Sequence, residues 1–495
     1  MNEDRALLLF DALTGVRENY IEEALPRGKA RRKPGLRLLA PLAALVCIAV
    51  GLGWLLTHTG STGDGPYRKD RGPGDSYASY AGPVLPLTAP EGGEGLTARR
   101  ETTLDLSPLP AARMTDRAYA LVTDDYTLEN PGTAEETITL LYPFASDLFS
   151  DGALLPEITA NGARVEAELL PGAEADGAGR VPSLRTWDEY YALLQGGHAE
   201  RSLASYPVPD VKVTVYEITD MTGLKGEGAP HPTLDLSFTL DRTKTGVLDW
   251  GFNGGTNDLE TDRFQRHVDI PQPGTPEYGH PVFLIVLGED IRDVELKAWT
   301  SAMLDTPMEA AGGTMIRYEA DLSEMLARCT ELHYRFNYET TLYDGLTPEA
   351  RASLLWARLA VMGYMGEDFS RAAQCRMEDV TSAVLNARRI LYLRFAVTVP
   401  AGGSVRVTAK MRKELSFDYG AGLGSPQGLD LLTGAASGGL SFTEEAAVLT
   451  GTDGLKLLWQ NFGFDPGEGR TRVALSPETP RYYLDLVKKS EKDLS

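Results

Sequence analysis

One uncharged apolar run near the amino terminus constrains the rest of the chain more than any other feature. Residues 38–56, LLAPLAALVCIAVGLGWLL, are nineteen residues without a charge. A helix of this length rises about 28 Å, close to the hydrocarbon thickness of a bilayer. A helix buried in a globular core is usually shorter and carries polar residues on one face. The run therefore predicts one transmembrane helix.

The charges that flank this run predict its orientation. No Lys or Arg follows it before Arg68, whereas six basic residues and no acid stand just before it: Arg27, Lys29, Arg31, Arg32, Lys33 and Arg37. Basic flanks stay on the cytoplasmic side of a membrane. We therefore expect a single-pass protein of the cell membrane, with residues 1–37 in the cytoplasm and residues 57–495 outside the cell.

A cleaved signal peptide is the main alternative to a permanent anchor. Signal peptides have a short basic head, an apolar stretch of about 7–15 residues and a cleavage site of small residues. Here the head is 37 residues long, and the bulky Trp54-Leu55-Leu56 ends the run. The sequence therefore favours an uncleaved signal-anchor, and the lipid bilayer is the expected partner of residues 38–56.

The cytoplasmic head carries an apolar stripe at helical spacing, formed by Leu9, Leu13, Val16 and Tyr20. Such a stripe needs a surface to pack against, so residues 1–26 are a candidate contact face for a cytosolic regulator, the inner leaflet or a second copy. A partly ordered spacer is the alternative. With the basic patch and the span, LFDALTGVRENYIEEA resembles the amino-terminal segments of anti-sigma-factor-like membrane proteins. The resemblance implies a sigma factor as the cytosolic partner.

Charge and cysteine content exclude several classes of protein. The head has a net charge of +2, and the remainder of the chain has a net charge of −24. An exterior this acidic repels nucleic acid, so no nucleic-acid partner is expected. Outside the span only Cys329 and Cys375 occur, too few for a disulfide framework. Whether these two cysteines pair stays open.

Composition divides the exterior into a stalk and two folded parts. Residues 57–100 are rich in Gly, Pro, Ser and Thr and predict a flexible stalk. Residues 101–345 alternate at the strand period and predict a β-rich domain with a helical insert near 186–205. A helical segment followed by a β-rich C-terminal domain is predicted for residues 346–495. No second low-complexity linker separates the two parts, so both can pack as one body.

Two turn signals stand between predicted strands. Alternating runs flank Asn130-Pro131-Gly132 in a hairpin-like pattern, and Asn161-Gly162 is a strong signal for a two-residue hairpin turn. The strand rhythm resembles sandwich or immunoglobulin-like modules of bacterial surface proteins. The expected fold class is mainly β, built of such modules with helical inserts, plus one N-terminal transmembrane helix.

Three exterior segments carry a further resemblance. TKTGVLDWGFNGG, FLIVLGEDI and WQNFGFD resemble segments of uncharacterised single-pass surface proteins of Gram-positive, clostridia-like bacteria. The resemblance implies a location on the bacterial cell surface and no particular activity.

Motifs for catalysis and metal binding are missing from the sequence. It contains no HExxH, CxxC, SxxK or P-loop pattern, and its six histidines are isolated from one another. The sequence therefore predicts no catalytic residue, no metal site and no cofactor.

Candidate binding residues nevertheless occur around the segment WGFNGGTNDLETD. They are Trp250, Asn253, Asp258, Glu260 and Asp262. The three acids at alternate positions could hold calcium in a loop, although the EF-hand pattern is absent and solvated loop acids are the alternative. The indole could stack on a sugar if it is exposed, and a place in the core is its alternative.

These observations favour a membrane-anchored extracellular protein that binds a ligand or acts as a sensor, more than they favour an enzyme. A surface glycan hydrolase and a structural envelope component are the alternatives. Glycoside hydrolysis needs two carboxyl groups flanking the scissile bond. With 64 acids outside the membrane, the sequence cannot select such a pair.

Overall fold

The fold is known from a computed structural model that describes residues 73–74, 77, 79–93, 95–109, 118–150, 152–174, 207–223, 232–270, 280–304, 306–337, 341–364, 375–417 and 425–489. Twenty-four β-strands and three α-helices lie within these ranges. The fold is therefore mainly β, as the alternation of apolar and polar residues predicts. The finer likeness to immunoglobulin-like modules stays a prediction.

The first twelve strands, in chain order, are β1 Thr88–Glu91, β2 Thr97–Asp105, β3 Tyr119–Glu129, β4 Glu136–Ser146, β5 Glu157–Ala160, β6 Ala163–Arg164, β7 Glu168–Glu174, β8 Lys212–Thr222, β9 Thr233–Thr239, β10 Thr245–Trp250, β11 Gly254–Asp258 and β12 Arg263–Asp269. The other twelve are β13 Val282–Gly288, β14 Arg292–Trp299, β15 Gly312–Asp321, β16 Cys375–Arg376, β17 Arg389–Val399, β18 Ser404–Glu414, β19 Ser416–Phe417, β20 Gln427–Leu432, β21 Ser441–Thr450, β22 Leu455–Gln460, β23 Arg472–Ala474 and β24 Arg481–Lys488. The helices are α1 Leu322–Asn337, α2 Pro348–Val361 and α3 Met377–Asn386.

The strands form five sheets. In spatial order these are sheet A (β1-β4-β17-β7), sheet B (β15-β8-β13-β10-β16), sheet C (β11-β12-β9-β14), sheet D (β23-β21-β2-β3-β18-β5-β6) and sheet E (β19-β20-β24-β22). Most neighbouring strands are antiparallel, while β2 runs parallel to β21 and β10 runs parallel to β16. The two parallel pairs join segments that are far apart in sequence, as parallel pairing requires.

Sheets B and C form a sandwich with its own core. Val247 of sheet B shares this core with Leu236 and Phe264 of sheet C. The opposite face of sheet B, which includes Phe283, belongs to the larger core together with Leu326 of helix α1. Sheet B is therefore covered on both faces, which explains why β13 reads as the continuous apolar run VFLIVL.

The turn at Asn130 joins two sheets instead of two paired strands. Strand β3 pairs with β18 in sheet D, whereas β4 pairs with β17 in sheet A. The matching turn between β17 and β18 lies against it, because Asn130 N donates to Gly403 O and Gly402 N donates to Gly132 O, each at 2.9 Å. The predicted strands are confirmed, but the hairpin-like pairing is wrong. A local turn signal cannot reveal that β3 pairs with β18 and β4 with β17, both far along the chain.

The turn at Asn161-Gly162 is a true hairpin, as predicted. Strands β5 and β6 pair on either side of it. Both turn residues have positive φ, 49° at Asn161 and 83° at Gly162, as the tight turn of a two-residue hairpin requires. The Asn161 side-chain oxygen also accepts a hydrogen bond from Arg406 N at 2.9 Å, which ties the hairpin to β18.

The last part of the predicted stalk, residues 57–100, belongs to the folded body. Strand β1 pairs with β4, and β2 pairs with β3 and β21. Val84, Leu85 and Leu87 are completely buried. The stalk prediction is therefore wrong from residue 79 onward. An average composition over 44 residues concealed the short apolar segment VLPL that anchors this stretch.

Sheets A and D take strands from both sides of residue 345. Strands β17 and β18 pair with β4 and β3, and β21 pairs with β2. Residues 67–495 form one compact unit. The predicted division into residues 101–345 and 346–495 therefore does not follow the sheets.

Helix α2 begins where the sequence predicts a helix. The Thr347 hydroxyl oxygen accepts a hydrogen bond from Ala350 N at 3.2 Å, and Pro348 fills the first helical position. The helical insert near 186–205, the head and the span at 38–56 lie outside the described residues. In the part of the chain that the structure covers, no helix is both long enough and apolar enough to cross a membrane.

Cys329 and Cys375 are both buried, and both are free thiols. Cys329 lies on α1, and Cys375 opens the short strand β16 that precedes α3. Burial raises the pKa of each thiol above its ordinary value. In this structure the two residues therefore act as small apolar side chains, and the question of their pairing has a negative answer.

Candidate functional site

Sheet C has one apolar face and one face of polar side chains. Leu234, Leu236 and Phe238 of β9 pack into the sandwich core, so the residues between them point the other way. The strand register places these residues beside their counterparts on β11, β12 and β14. We call this set the polar face; it comprises Thr233, Asp235, Ser237, Thr256, Gln265, His267, Asp269, Glu295, Lys297 and Trp299.

Asp235 lies at the centre of the polar face. Its cross-strand neighbours are His267 on β12 and Lys297 on β14. Its side chain is almost completely buried, and its Oδ2 accepts a hydrogen bond from Gln265 Nε2 at 3.3 Å. Burial raises the pKa of the Asp235 carboxyl, against the opposing influence of the nearby histidine and amide. The neighbouring side chains therefore offset only part of the cost of a buried negative charge on Asp235.

Three polar atoms of this face lack a hydrogen-bond partner within the described residues. They are Asp235 Oδ1, His267 Nε2 and Trp299 Nε1. The first two are 3.2 Å apart, close enough for an ion pair but without hydrogen-bond alignment. Trp299 pairs with Thr233 across the strands and is thus a diagonal neighbour of Asp235. A buried polar atom without a partner costs about 1–3 kcal/mol, so three close together need an explanation.

Trp250 and Asn253, two of the sequence candidates, lie on different sides of the sandwich. Trp250 is buried and stacks on Phe283 with ring centroids 6.1 Å apart, so it occupies the core. Asn253 is exposed and borders the polar face. Its Nδ2 donates to Asp269 Oδ2 at 2.8 Å, and its backbone N donates to His267 O at 3.0 Å.

Asp258, Glu260 and Asp262, the other sequence candidates, shape the turn between β11 and β12. Asp258 accepts hydrogen bonds from the backbone N of Glu260 at 3.0 Å and from the Thr261 hydroxyl at 2.6 Å, and these bonds lower the pKa of its carboxyl. Asp262 accepts a hydrogen bond from Arg242 Nε at 2.8 Å, and Glu260 is exposed. Within the described ranges, no group of three or more acids, histidines or cysteines is placed to hold a metal ion.

The central residues of the polar face were not singled out in the sequence. Asp235 and His267 are 32 positions apart and become neighbours only through the register of β9 and β12. The available signal is the alternation in TLDLSFT and RFQRHVD, which places Asp235 and Ser237, and likewise Gln265 and His267, between buried residues. This alternation predicts a polar face but does not identify which strands share it.

Comparison with known proteins leaves the family open. No family model matches the chain, and no curated protein matches it. Among solved structures, a candidate nutrient-binding protein from Legionella pneumophila aligns with 83% of this chain and 72% of its own. The two share 6% sequence identity, with a TM-score of 0.29. A similarity of this size carries no argument about fold or function.

Proposed function

We propose that this chain is a membrane-anchored extracellular binding protein whose polar face recognises a hydroxyl-rich ligand, a glycan. One observation supports the proposal above all. Asp235 Oδ1, His267 Nε2 and Trp299 Nε1 are buried polar atoms on three adjacent strands, and none has a hydrogen-bond partner within the described residues.

The chemistry of these three atoms points to hydroxyl groups. A carboxylate oxygen only accepts hydrogen bonds, an indole N–H only donates, and an imidazole Nε2 does one or the other according to its tautomer. A simple anion would meet the donors but not the acceptors, and a cation would do the opposite. A hydroxyl group both donates and accepts, so neighbouring hydroxyls of one sugar ring can satisfy the whole set when the three side chains turn to present these buried atoms.

The border of the polar face adds apolar surface suited to a sugar ring. Trp299 is half-buried at the end of the edge strand β14 and forms a bridge with Pro307. Between them the chain turns back on itself, and Met303 at this turn has 84% of its surface exposed. An indole and a thioether beside polar groups match a ligand with both hydroxyl and C–H surfaces.

The location in this proposal depends on the sequence. The uncharged run at 38–56 and its basic flank support an anchor with the binding domain outside the cell. The apolar stripe of the head supports contact with a cytosolic regulator, which would make the protein a sensor. The likeness to surface proteins of Gram-positive bacteria belongs to the same proposal. The glycan hydrolase and the structural component stay as alternatives.

Glycan binding by the full chain tests the polar face. The detergent-solubilised protein is applied to an array of bacterial and plant glycans, and hits are titrated by calorimetry. We expect Asp235→Asn and Trp299→Ala each to weaken binding at least about tenfold, because each loses a hydrogen bond made in a buried site. Trp459→Ala is the matched control, since Trp459 is also half-buried on an edge strand, β22 of sheet E. Absence of glycan binding, or equal weakening by all three variants, would refute the proposal.

Protease treatment of intact cells tests the location separately. We expect the enzyme to remove the chain beyond residue 57 and to leave the head inside. Full protection of residues 57–495 would contradict the predicted orientation in the membrane. It would not bear on the proposed glycan binding.

A further inference from the structure

Two carboxyl groups, each with a buried oxygen, lie near each other away from the polar face, where β10 approaches the start of α3. Asp249 has 2% of its surface exposed, and its Oδ2 accepts a hydrogen bond from Arg266 Nε at 2.7 Å. Glu378, in the first turn of α3, accepts a hydrogen bond from Gly251 N through Oε1. Asp249 Oδ1 and Glu378 Oε2 are buried, and neither has a partner within the described residues.

The charges around this pair do not balance two carboxylates. Among the described residues, five titratable side chains face it from β12, β16, α3 and α1: Arg266, Arg376, Asp379, Cys375 and Cys329. Arg266 is the buried cation of this group, whereas Arg376 and Asp379 are both exposed and carry opposite charges. The raised pKa values keep both thiols neutral. Two buried carboxylates beside one buried guanidinium are costly, so the pair favours binding a proton.

We propose that Asp249 and Glu378 form a proton-binding pair that holds the start of α3 against the turn after β10 and loosens as the pH rises. The contact spans three elements. Strand β16, directly before α3, pairs with β10 at Asp249, and Gly251 follows the end of β10. The pair therefore controls how firmly β16 and α3 close the edge of sheet B.

The pKa values agree with this geometry and give its direction. Burial raises the pKa of Asp249, and burial together with the Asp249 charge raises the pKa of Glu378 to about 6. For an acid whose folded-state pKa is raised, the stabilisation is complete below its unfolded value of 4.5. It is lost as the pH rises through 6, because the folded state must then hold a second negative charge.

The two buried thiols report on this contact in the unmodified protein. The full chain is treated with a thiol reagent from pH 5 to 7.5, and mass spectrometry distinguishes Cys375 and Cys329 from Cys47. Each rate is divided by that of Glu378→Gln at the same pH, which cancels the pH dependence of thiol reactivity in the opened state. Gln imitates the protonated acid and retains the oxygen that accepts from Gly251 N. We expect the wild-type ratio to rise about tenfold across this range, in line with the raised pKa.

The matched control is Glu349→Gln, which removes an exposed acid from the first turn of α2. Its labelling ratio should rise as that of the wild type does. A wild-type ratio that stays constant from pH 5 to 7.5 would overturn the proposal.

A second variant keeps the proposal testable if Glu378→Gln does not fold, and each rate is then divided by that of the urea-denatured chain at the same pH. Asp249→Asn removes one charge of the pair while its side-chain oxygen still accepts from Arg266. The midpoint of the labelling rise should then shift to lower pH, because Glu378 no longer ionises beside another carboxylate. An unshifted midpoint would show that the two groups titrate independently and would overturn the pair.

Discussion

Two buried aspartates, one on sheet D and one on sheet C, differ in how many hydrogen bonds their carboxylate oxygens accept. Asp124, on β3 of sheet D, is fully enclosed, and both of its oxygens are used. It accepts hydrogen bonds from Arg100 Nε at 2.8 Å and Nη2 at 2.7 Å, and from the hydroxyls of Thr102 and Tyr126, each at 2.6 Å. Asp235, on β9 of sheet C, leaves one oxygen without a hydrogen bond.

The hydrogen bonds around Asp124 extend to further charged and polar groups, each of which has a partner. Arg100 also donates to Leu432 O and lies 3.6 Å from a Glu445 oxygen, and both Glu445 oxygens accept from Gly434 N. The Tyr126 hydroxyl accepts from Leu87 N and so holds the segment before β1. A buried network in which every polar group has a hydrogen-bond partner stabilises the fold. The incomplete one on sheet C is the better candidate for binding.

The largest expected effect is on the completed network. Arg100→Met leaves Asp124 as a buried charge without a cation, and we expect it to lower the free energy of unfolding by about 3–5 kcal/mol. Arg406→Met is the control on the same sheet, because Arg406 pairs with Asp125 at 3.0 Å at an exposed position. Its cost should stay below about 1 kcal/mol. Urea denaturation measures both, and equal losses would contradict the contrast between them.

A smaller effect separates the two tryptophans of the sandwich. Trp250→Ala removes a buried ring that stacks on Phe283, so we expect the free energy of unfolding to fall by about 3 kcal/mol. Trp299→Ala, on the polar face, should cost about 1 kcal/mol or less and should affect ligand binding instead. Thermal unfolding of both variants checks this. A larger loss for Trp299→Ala would mean that the polar face is structural.

Asp235→Asn sharpens the comparison of the two aspartates. It removes a buried charge that has few partners, so we expect the free energy of unfolding to change by less than about 1 kcal/mol. Asp124→Asn, the same change within the completed network, should cost more, because one amide N–H₂ would then face donors. Urea denaturation measures both variants. An equal loss of unfolding free energy in Asp235→Asn and Asp124→Asn would contradict this prediction.

The smallest effect is the dependence of stability on pH at Asp235. Because burial raises the pKa of this carboxyl, its contribution to stability is complete below its unfolded value of 3.8. The contribution is lost as the pH rises through the higher folded-state pKa. Urea denaturation from pH 3.5 to 7 should show this decline in the wild type and less of it in Asp235→Asn. Identical profiles of stability against pH in the wild type and in Asp235→Asn would contradict the assignment of this decline to Asp235.

Local features of the fold could be predicted where the signal and its physical cause lie close together in sequence. The hairpin at Asn161-Gly162 follows from two residues with positive φ, and the start of α2 follows from a capping threonine before Pro348. The hairpin-like pattern at Asn130 misled for the opposite reason. Its residues do form a turn, but the pairing depends on β17 and β18, far along the chain.

The candidate site shows the same limit. Of the binding residues suggested by the sequence, Asn253 borders the polar face, Trp250 lies in the core, and the three acids shape a turn. The aromatic and acidic content of one segment indicates the hairpin of β11 and β12, which contributes to the polar face. It could not indicate that Asp235, from the preceding strand, lies beside His267.

The sequence by itself determined that the chain is mainly β and that the part after its one apolar run is acidic, because residue alternation and charge are properties of short segments. Tertiary structure alone decided which strands share a sheet and which buried polar groups find partners. Strand register sets both, and register results from the combined packing of distant segments. The open oxygens of Asp235, Asp249 and Glu378 are therefore visible only in the folded chain.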